Sequence, residues 1–258
     1  MPNLIRPIVL LSCLVALSGI VACSKPGNQP PAKAQGKSVD QATAGAISGH
    51  VVFEGTPPPP APIKMAVDPA CLAGGTPNPV SDAVLVGKAG ELQNAFVYVK
   101  DGLDPSYTFE TPTTPVTLAQ KGCLYSPRIF GVQVGQPIDI VNNDATSHNV
   151  HGLAKTNQEF NRMEPMQGFR MVHTFTAPEV MVRFKCDVHN WMAAYVGVLA
   201  HPFFAVSKAD GTFEIKGLPP GTYTVEAWHE KFGTREQKVT IGEKQTQSVS
   251  FTFTPAAS

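Results

Sequence analysis

Charge is scarce in this chain. Only 16% of its residues are charged, and 20 basic side chains balance 20 acidic ones. That balance supplies no basic stripe for a nucleic-acid backbone and no strong field to steer a charged partner. Cysteines number five and tryptophans two. No Cys-x-x-Cys-His occurs, which excludes covalently attached haem, and neither a nucleophile-base set nor a phosphate loop is present, so no catalysis is expected. Long helical periodicity is absent as well. The longest apolar stretch, Ile8 to Val21, is too short for a comfortable membrane span.

What is abundant is glycine, proline and short alternating runs. With 22 Gly and 24 Pro, the chain places turn signals between segments such as Ile47–Phe53, Ala95–Val99, Tyr223–Ala227 and Val249–Phe253. Such runs favour β-sandwiches, and the length beyond Ala46 exceeds what one small sandwich needs.

The sharpest chemical signal is Lys185-Cys186-Asp187-Val188-His189-Asn190-Trp191-Met192. In Glu179–Cys186, Val180, Val182, Phe184 and Cys186 alternate with Met181, Arg183 and Lys185, so a strand delivers the thiol to its apolar face. The turn after it must bring His189 and Met192 back around the same point before a strand from Ala194 to Leu199. His148 follows another predicted strand, Pro137–Val141. One thiolate, two imidazoles and a thioether form the donor set of a single electron-transfer copper. Zinc fits poorly, since thioether is not among its usual ligands. For His50, His151, His173, His201 and His229 the expectation is structural or hydrogen-bonding roles.

From about Pro115 to Leu199 the chain resembles a cupredoxin. The matching segments are Phe130–Ile138, Asn142-Asn143-Asp144 ahead of His148-Asn149-Val150, Thr174–Pro178 and the Cys186 loop, whose Cys-x-x-His-x-x-Met spacing resembles amicyanin. The resemblance implies a Greek-key β-sandwich over residues 113–200, one type 1 copper held by His148, Cys186, His189 and Met192, and Asn149 fastening the two ligand loops. It departs from the pattern at Ala154–Met171, a polar stretch containing Met163, Met166 and Met171.

A second resemblance lies at the C-terminus. Ala209–Ile215 followed by Gly217–Val225, with the Asp210-Gly211 turn and the Leu218-Pro219-Pro220-Gly221 corner, is similar to the carboxypeptidase regulatory-like domain, a small transthyretin-like β-sandwich. Residues 201–256 are short of a complete sandwich. Either the N-terminal β segment 46–112 completes a discontinuous domain with the cupredoxin inserted in it, or that segment wraps the cupredoxin and the C-terminal module stands alone.

The N-terminus sets the expected location. Arg6 precedes the apolar stretch, which ends in Ile20-Val21-Ala22-Cys23-Ser24; this resembles a bacterial lipobox, implying a signal peptide over 1–22 and lipidation of Cys23. Ser24 resembles the residue of lipoproteins sent to the outer membrane. Residues 23–45 read as a disordered tether, reaching about 26 Å as a coil and up to about 70 Å as polyproline helix. In an oxidising compartment Cys71 and Cys123 suggest a disulfide, the alternative being free thiols or a second metal site.

The expected function is a periplasm-facing, lipid-anchored copper carrier that passes one electron to a cytochrome or membrane oxidase. His189 is expected to present its ring edge near the surface, with Trp191 either widening an apolar docking patch or packing the loop. The rivals are a copper storage or delivery protein, using the three methionines as soft ligands, and a β-sandwich binding module with incidental copper.

Overall fold

Sixteen strands and one short helix make up the protein in a computed structural model that describes residues 36–65, 68–74 and 78–255. The expected signal peptide and Cys23 lie outside these residues. Chain order begins with β1 (Gly45–Phe53), α1 (Pro69–Gly74) and β2 (Phe96–Asp101). Nine strands follow: β3 (Val116–Gln120), β4 (Tyr125–Ser126), β5 (Ile129–Gln133), β6 (Ile138–Asn142), β7 (His148–Leu153), β8 (Phe160–Glu164), β9 (Arg170–His173), β10 (Glu179–Lys185) and β11 (Ala193–Leu199). The chain closes with β12 (Phe204–Val206), β13 (Thr212–Leu218), β14 (Gly221–His229), β15 (Gly233–Ile241) and β16 (Thr246–Phe253).

Strands from both ends of the chain share sheets. β1 lies between antiparallel β13 and parallel β16, while β2 lies between β12 and β14, with β15 beyond. Period-two alternation aims Tyr223, Val225 and Ala227 of β14 and Phe251 and Phe253 of β16 into one apolar core with Ile47, Val51 and Phe53 of β1. Asp210-Gly211 turns the chain into β13, with Gly211 at φ +74°.

The nine strands between β2 and β12 form a second pair of sheets, ordered β5-β11-β10-β7-β8 and β4-β3-β6-β9. Leu118, Ile138, Ile140, Val150, Phe175, Phe184 and Val196 fill the space between them. The stretch Ala154–Met171 supplies β8 and leads into β9, one edge strand for each sheet. Phe96 joins the two sandwiches. Its ring lies where a Cβ on Gly131 or Gly197 would stand 2.8 or 2.3 Å from it, so only glycine lets β2 pack this closely on β5 and β11. Arg128 adds a polar tie, paired with both Asp82 and Glu230.

Residues 36–44, expected to belong to the tether, are seated on the folded body. Lys37 pairs with Tyr107, its N–H donating to Ser106 O and its carbonyl accepting from Thr108 N–H, and Asp40 closes a turn that leads into β1. Satisfied backbone groups and the Lys37 ammonium over the Tyr107 ring hold residues 36–44 against the folded body. Cys71 of α1 forms a disulfide with Cys123, Cα atoms 5.2 Å apart, and so straps the long β1–β2 connection to the inner sandwich.

Candidate metal centre

The four predicted donors come from two loops at one end of the inner sandwich. His148 opens β7, and Cys186 is the first residue beyond β10. The loop then turns on itself: His189 N–H points at Cys186 Sγ at 3.4 Å, Met192 N–H donates to His189 O at 3.0 Å, and Cys186 N–H reaches Met192 O at 3.4 Å. These backbone contacts close the Cys186–Met192 turn and bring His189 under the thiol.

His148 Nδ1 and His189 Nδ1 lie 2.9 Å apart, and Cys186 Sγ lies 3.8 Å from His189 Nδ1. All three donor atoms fall within 4.8 Å of one another, and all three residues are buried. Met192 is fully buried in the same apolar cluster as Cys186. Each imidazole is fixed from behind by a carboxylate. Asp144 Oδ2 accepts from His148 Nε2 at 2.9 Å, and Asp68 Oδ2 accepts from His189 Nε2 at 3.1 Å. With each Nε2 turned to a carboxylate, Nδ1 is the ring nitrogen that both imidazoles turn toward each other and toward the thiol. Asp144 is itself oriented by the N–H groups of Gly122 and Cys123 at 2.7 and 2.8 Å, and Asp68 by the Thr146 hydroxyl at 2.7 Å.

Asn149 ties the loops together. Its Oδ1 accepts from Asp187 N–H at 2.6 Å and lies 3.4 Å from Cys186 Sγ, while its Nδ2 donates to Asn161 Oδ1 at 2.7 Å and to Asp187 Oδ2 at 3.1 Å. Burial would push the Cys186 thiol up, but His148 and the N–H groups around the sulfur outweigh it and draw the thiol down. Burial likewise opposes the charged form of His148, yet Asp144 and Cys186 raise it to about 9. His189 goes the other way: burial lowers it, and the Asp68 carboxylate only partly compensates.

This set suits copper. A buried thiol drawn toward its thiolate, two inward imidazole nitrogens with carboxylate-fixed outer edges, and the thioether of buried Met192 on the same loop match the soft, mixed N/S donors that copper prefers.

One expectation needs correction. His189 does not reach the surface: it is 1% exposed, covered by Asp68 at the start of the α1 segment. A loop residue's exposure depends on what packs over it, and here the cover comes from 121 residues away. Trp191 packs the loop, its ring 5.3 Å from His189 and its Nε1–H donating to Cys123 O at 2.9 Å. His151 bonds Asp187 and Glu159. Met163 and Met166 are exposed, whereas Met171 packs against the core. The sulfurs of Cys71 and Cys123 lie near His189 but are joined to each other.

Sequence reasoning missed Asp68, Asp144 and Glu164. Asp144 had a signal, an acid four residues before a ligand His in Asn142-Asn143-Asp144. Glu164 sits opposite His148 on β8, buried and pushed up to about 7 by that burial, with Gln120 Nε2 donating to its Oε2.

Residues 194–254 match the family model of the carboxypeptidase regulatory-like domain. The match begins inside β11, which pairs within the inner sandwich. Among solved structures the chain is similar to a purple cupredoxin from Nitrosopumilus maritimus, at 21% identity over 32% of this chain and 98% of that one, with a TM-score of 0.28. It is also similar to a methionine-to-alanine mutant of amicyanin in its Cu(I) form, at 21% identity over 41% and 98% of the two chains, TM-score 0.30. A copper-containing nitrite reductase from Thermus scotoductus SA-01 aligns at 19% identity, TM-score 0.31, over 58% of this chain and only 28% of its own. No curated protein matches the chain. The protein is all-β, two sandwiches built on one chain.

Proposed function

We propose that the protein is a one-electron carrier with a single type 1 copper held by His148, Cys186, His189 and Met192. The observation that carries this reading is the convergence of Cys186 Sγ with two imidazole Nδ1 atoms in a buried pocket whose outer nitrogens are already held by Asp144 and Asp68. Bound copper would supply reversible one-electron chemistry between Cu(II) and Cu(I). The chain's own residues keep the donors in place for both states. Asn149 locks the Cys186 loop to β7, Asp144 locks the His148 ring to the Gly122–Cys123 turn, and the sheet-bound strands β7, β10 and β11 resist movement of either loop.

The setting proposed for this carrier is the periplasmic face of a membrane, anchored through a lipid on Cys23, with the outer membrane favoured by Ser24. More than one acyl chain would make the anchor stable. Its partners would be a cytochrome or a membrane oxidase, and it would transfer electrons without catalysing a reaction of its own. Exposed Met163 and Met166, on and just beyond the strand that pairs with β7, favour copper delivery as the second reading.

Titration of the metal-free protein with Cu(II) tests the proposal. An intense visible band, a reversible potential and a stoichiometry of one are expected. A colourless adduct, or a Cys186→Ser variant of unchanged colour, would rule out a type 1 site, and a stoichiometry above one would favour storage or delivery.

A further inference from the structure

An electron held at the Cys186 loop must cross the surface somewhere, and the outer edge of His189 does not offer the place. Asp68 closes its Nε2, and the segment carrying Asp68 is fastened there by the Cys71–Cys123 disulfide. Elsewhere along the same loop, Asp187 and Val188 follow Cys186 directly in the chain and, with Trp191, line an open groove of about 710 Å³. Val188 is 47% exposed.

The groove is basic in an otherwise neutral protein. Lys64 from the β1–β2 connection, Arg183 of β10 and Lys231 from the β14–β15 turn line it, and all three are exposed. None of the three has a carboxylate partner among the described residues. The other charges nearly cancel: Arg128 is shared by Glu230 and Asp82, which leaves one surplus negative charge, and Asp187 is paired with Lys185. Three cations without carboxylate partners, against one surplus carboxylate, therefore line the same groove as an exposed valine two residues from the thiol, and the groove keeps a net positive charge.

Resting on the electron-carrier reading, we propose that this groove, and not the His189 edge, is the docking surface, and that its occupant is a one-electron redox protein presenting an acidic patch. One electron passes from the reduced carrier to the partner's oxidised centre; no bond forms or breaks and no proton moves. Charge would steer the encounter at low ionic strength and lose its hold as salt screens it, as suits a small transient interface.

The first test needs no copper. Hexacyanochromate(III), a redox-inert paramagnetic trianion, is added to the metal-free full chain and amide signals are followed by NMR. Broadening is expected at Lys64, Arg183, Val188 and Lys231, and it should vanish in the Lys64→Glu/Arg183→Glu/Lys231→Glu variant. Broadening centred on Asp68 and His189, or none at all, overturns the proposal. The second test uses the copper-loaded full chain reduced to Cu(I) and measures its oxidation by hexacyanoferrate(III) in stopped flow. The triple variant should react about tenfold more slowly at low ionic strength and converge with the parent at high salt. Equal rates at low salt would overturn it. A full chain that binds copper without the visible band defeats the electron-carrier reading instead, and the inert anion then still decides whether the groove docks anions.

Discussion

The two sandwiches of this protein bury different things. Around Ile47, Val97, Val225, Phe251 and Phe253 the outer sandwich closes on an apolar core, and among the described residues its buried polar side chains are Ser207, Glu226 and His229. At one end of the inner sandwich, Gln120, Asn142, Asp144, His148, Asn149, Glu164 and His189 are all buried within a short stretch of structure. Burying polar groups costs free energy unless each finds a partner. The inner sandwich meets most of that cost with a dense hydrogen-bond network, with Gln120 Oε1 and Glu164 Oε1 left unpartnered, whereas the outer one has less to offset, with His229 Nε2 left unpartnered. The contrast separates a scaffold built for packing from one that accepts expensive groups to hold a donor set.

The largest expected effects come from exchanging the two kinds of damage. Phe251→Ala should cost about 3–5 kcal/mol of stability in urea or thermal unfolding, because it opens a cavity in a close-packed core, and should leave the visible band of the copper-loaded protein unchanged. Cys186→Ser should abolish that band with a much smaller change in stability. A Phe251→Ala protein that folds but loses the band would break the division between scaffold and site.

Acid and alkali should act on the two halves in opposite directions. Burial lowers His229 to about 4, helped by the positive charges of Arg128 and Lys231, so the unfolded chain takes up a proton first and stability falls as pH drops from about 6.5 towards 4. The full loss is roughly 3 kcal/mol. In the metal-free protein His148 is raised to about 9, so its contribution is complete below about 6.5 and disappears as pH rises through 9. The two tryptophans make this measurable, since Trp191 packs in the inner sandwich and Trp228 is carried by β14 of the outer one, next to His229 and with its ring on Tyr195 at the seam. Fluorescence-detected unfolding of Trp191→Phe and Trp228→Phe variants should show acid-weakened and alkali-weakened behaviour, respectively, in the sandwich that keeps its reporter. Identical pH profiles from both reporters would mean that the chain unfolds as one unit.

A smaller effect is expected at the seam where the β1–β2 connection meets the site. Asp68→Ala removes the acceptor that orients His189 Nε2 and should lower copper affinity by about tenfold in chelator competition. Asp68→Asn, which keeps an acceptor oxygen, should recover most of it. An Asp68→Ala variant with parental affinity would show that the carboxylate only covers the ring.

Much of the inner site was legible because its information is local. Alternation in Val182–Lys185 puts Cys186 on the inward face, although Val180, expected on that face, is exposed because the register shifts between Glu179 and Val182; the spacing to His189 and Met192 leaves a loop too short to carry them elsewhere. Asn149 was reached through resemblance, and its bonds to Asp187 and Asn161 give the position a physical role. The covered state of His189 was not legible. Its cover comes from Asp68, in a proline- and glycine-rich connection whose composition says turn and loop but not where the loop lands. The same holds for residues 36–44, whose polar composition reads as tether although backbone pairing with Tyr107 seats them.

The sequence by itself determined the β architecture, the donor types and their order, because strand alternation and ligand chemistry act over a few residues. Only the tertiary structure decided which face of the Cys186 loop is open. That depends on the Cys71–Cys123 strap, on Asp68 reaching His189, and on three cations from distant segments meeting beside Val188. Contacts between residues so far apart in the chain leave no periodic trace in it, and they exist only once both sandwiches have closed.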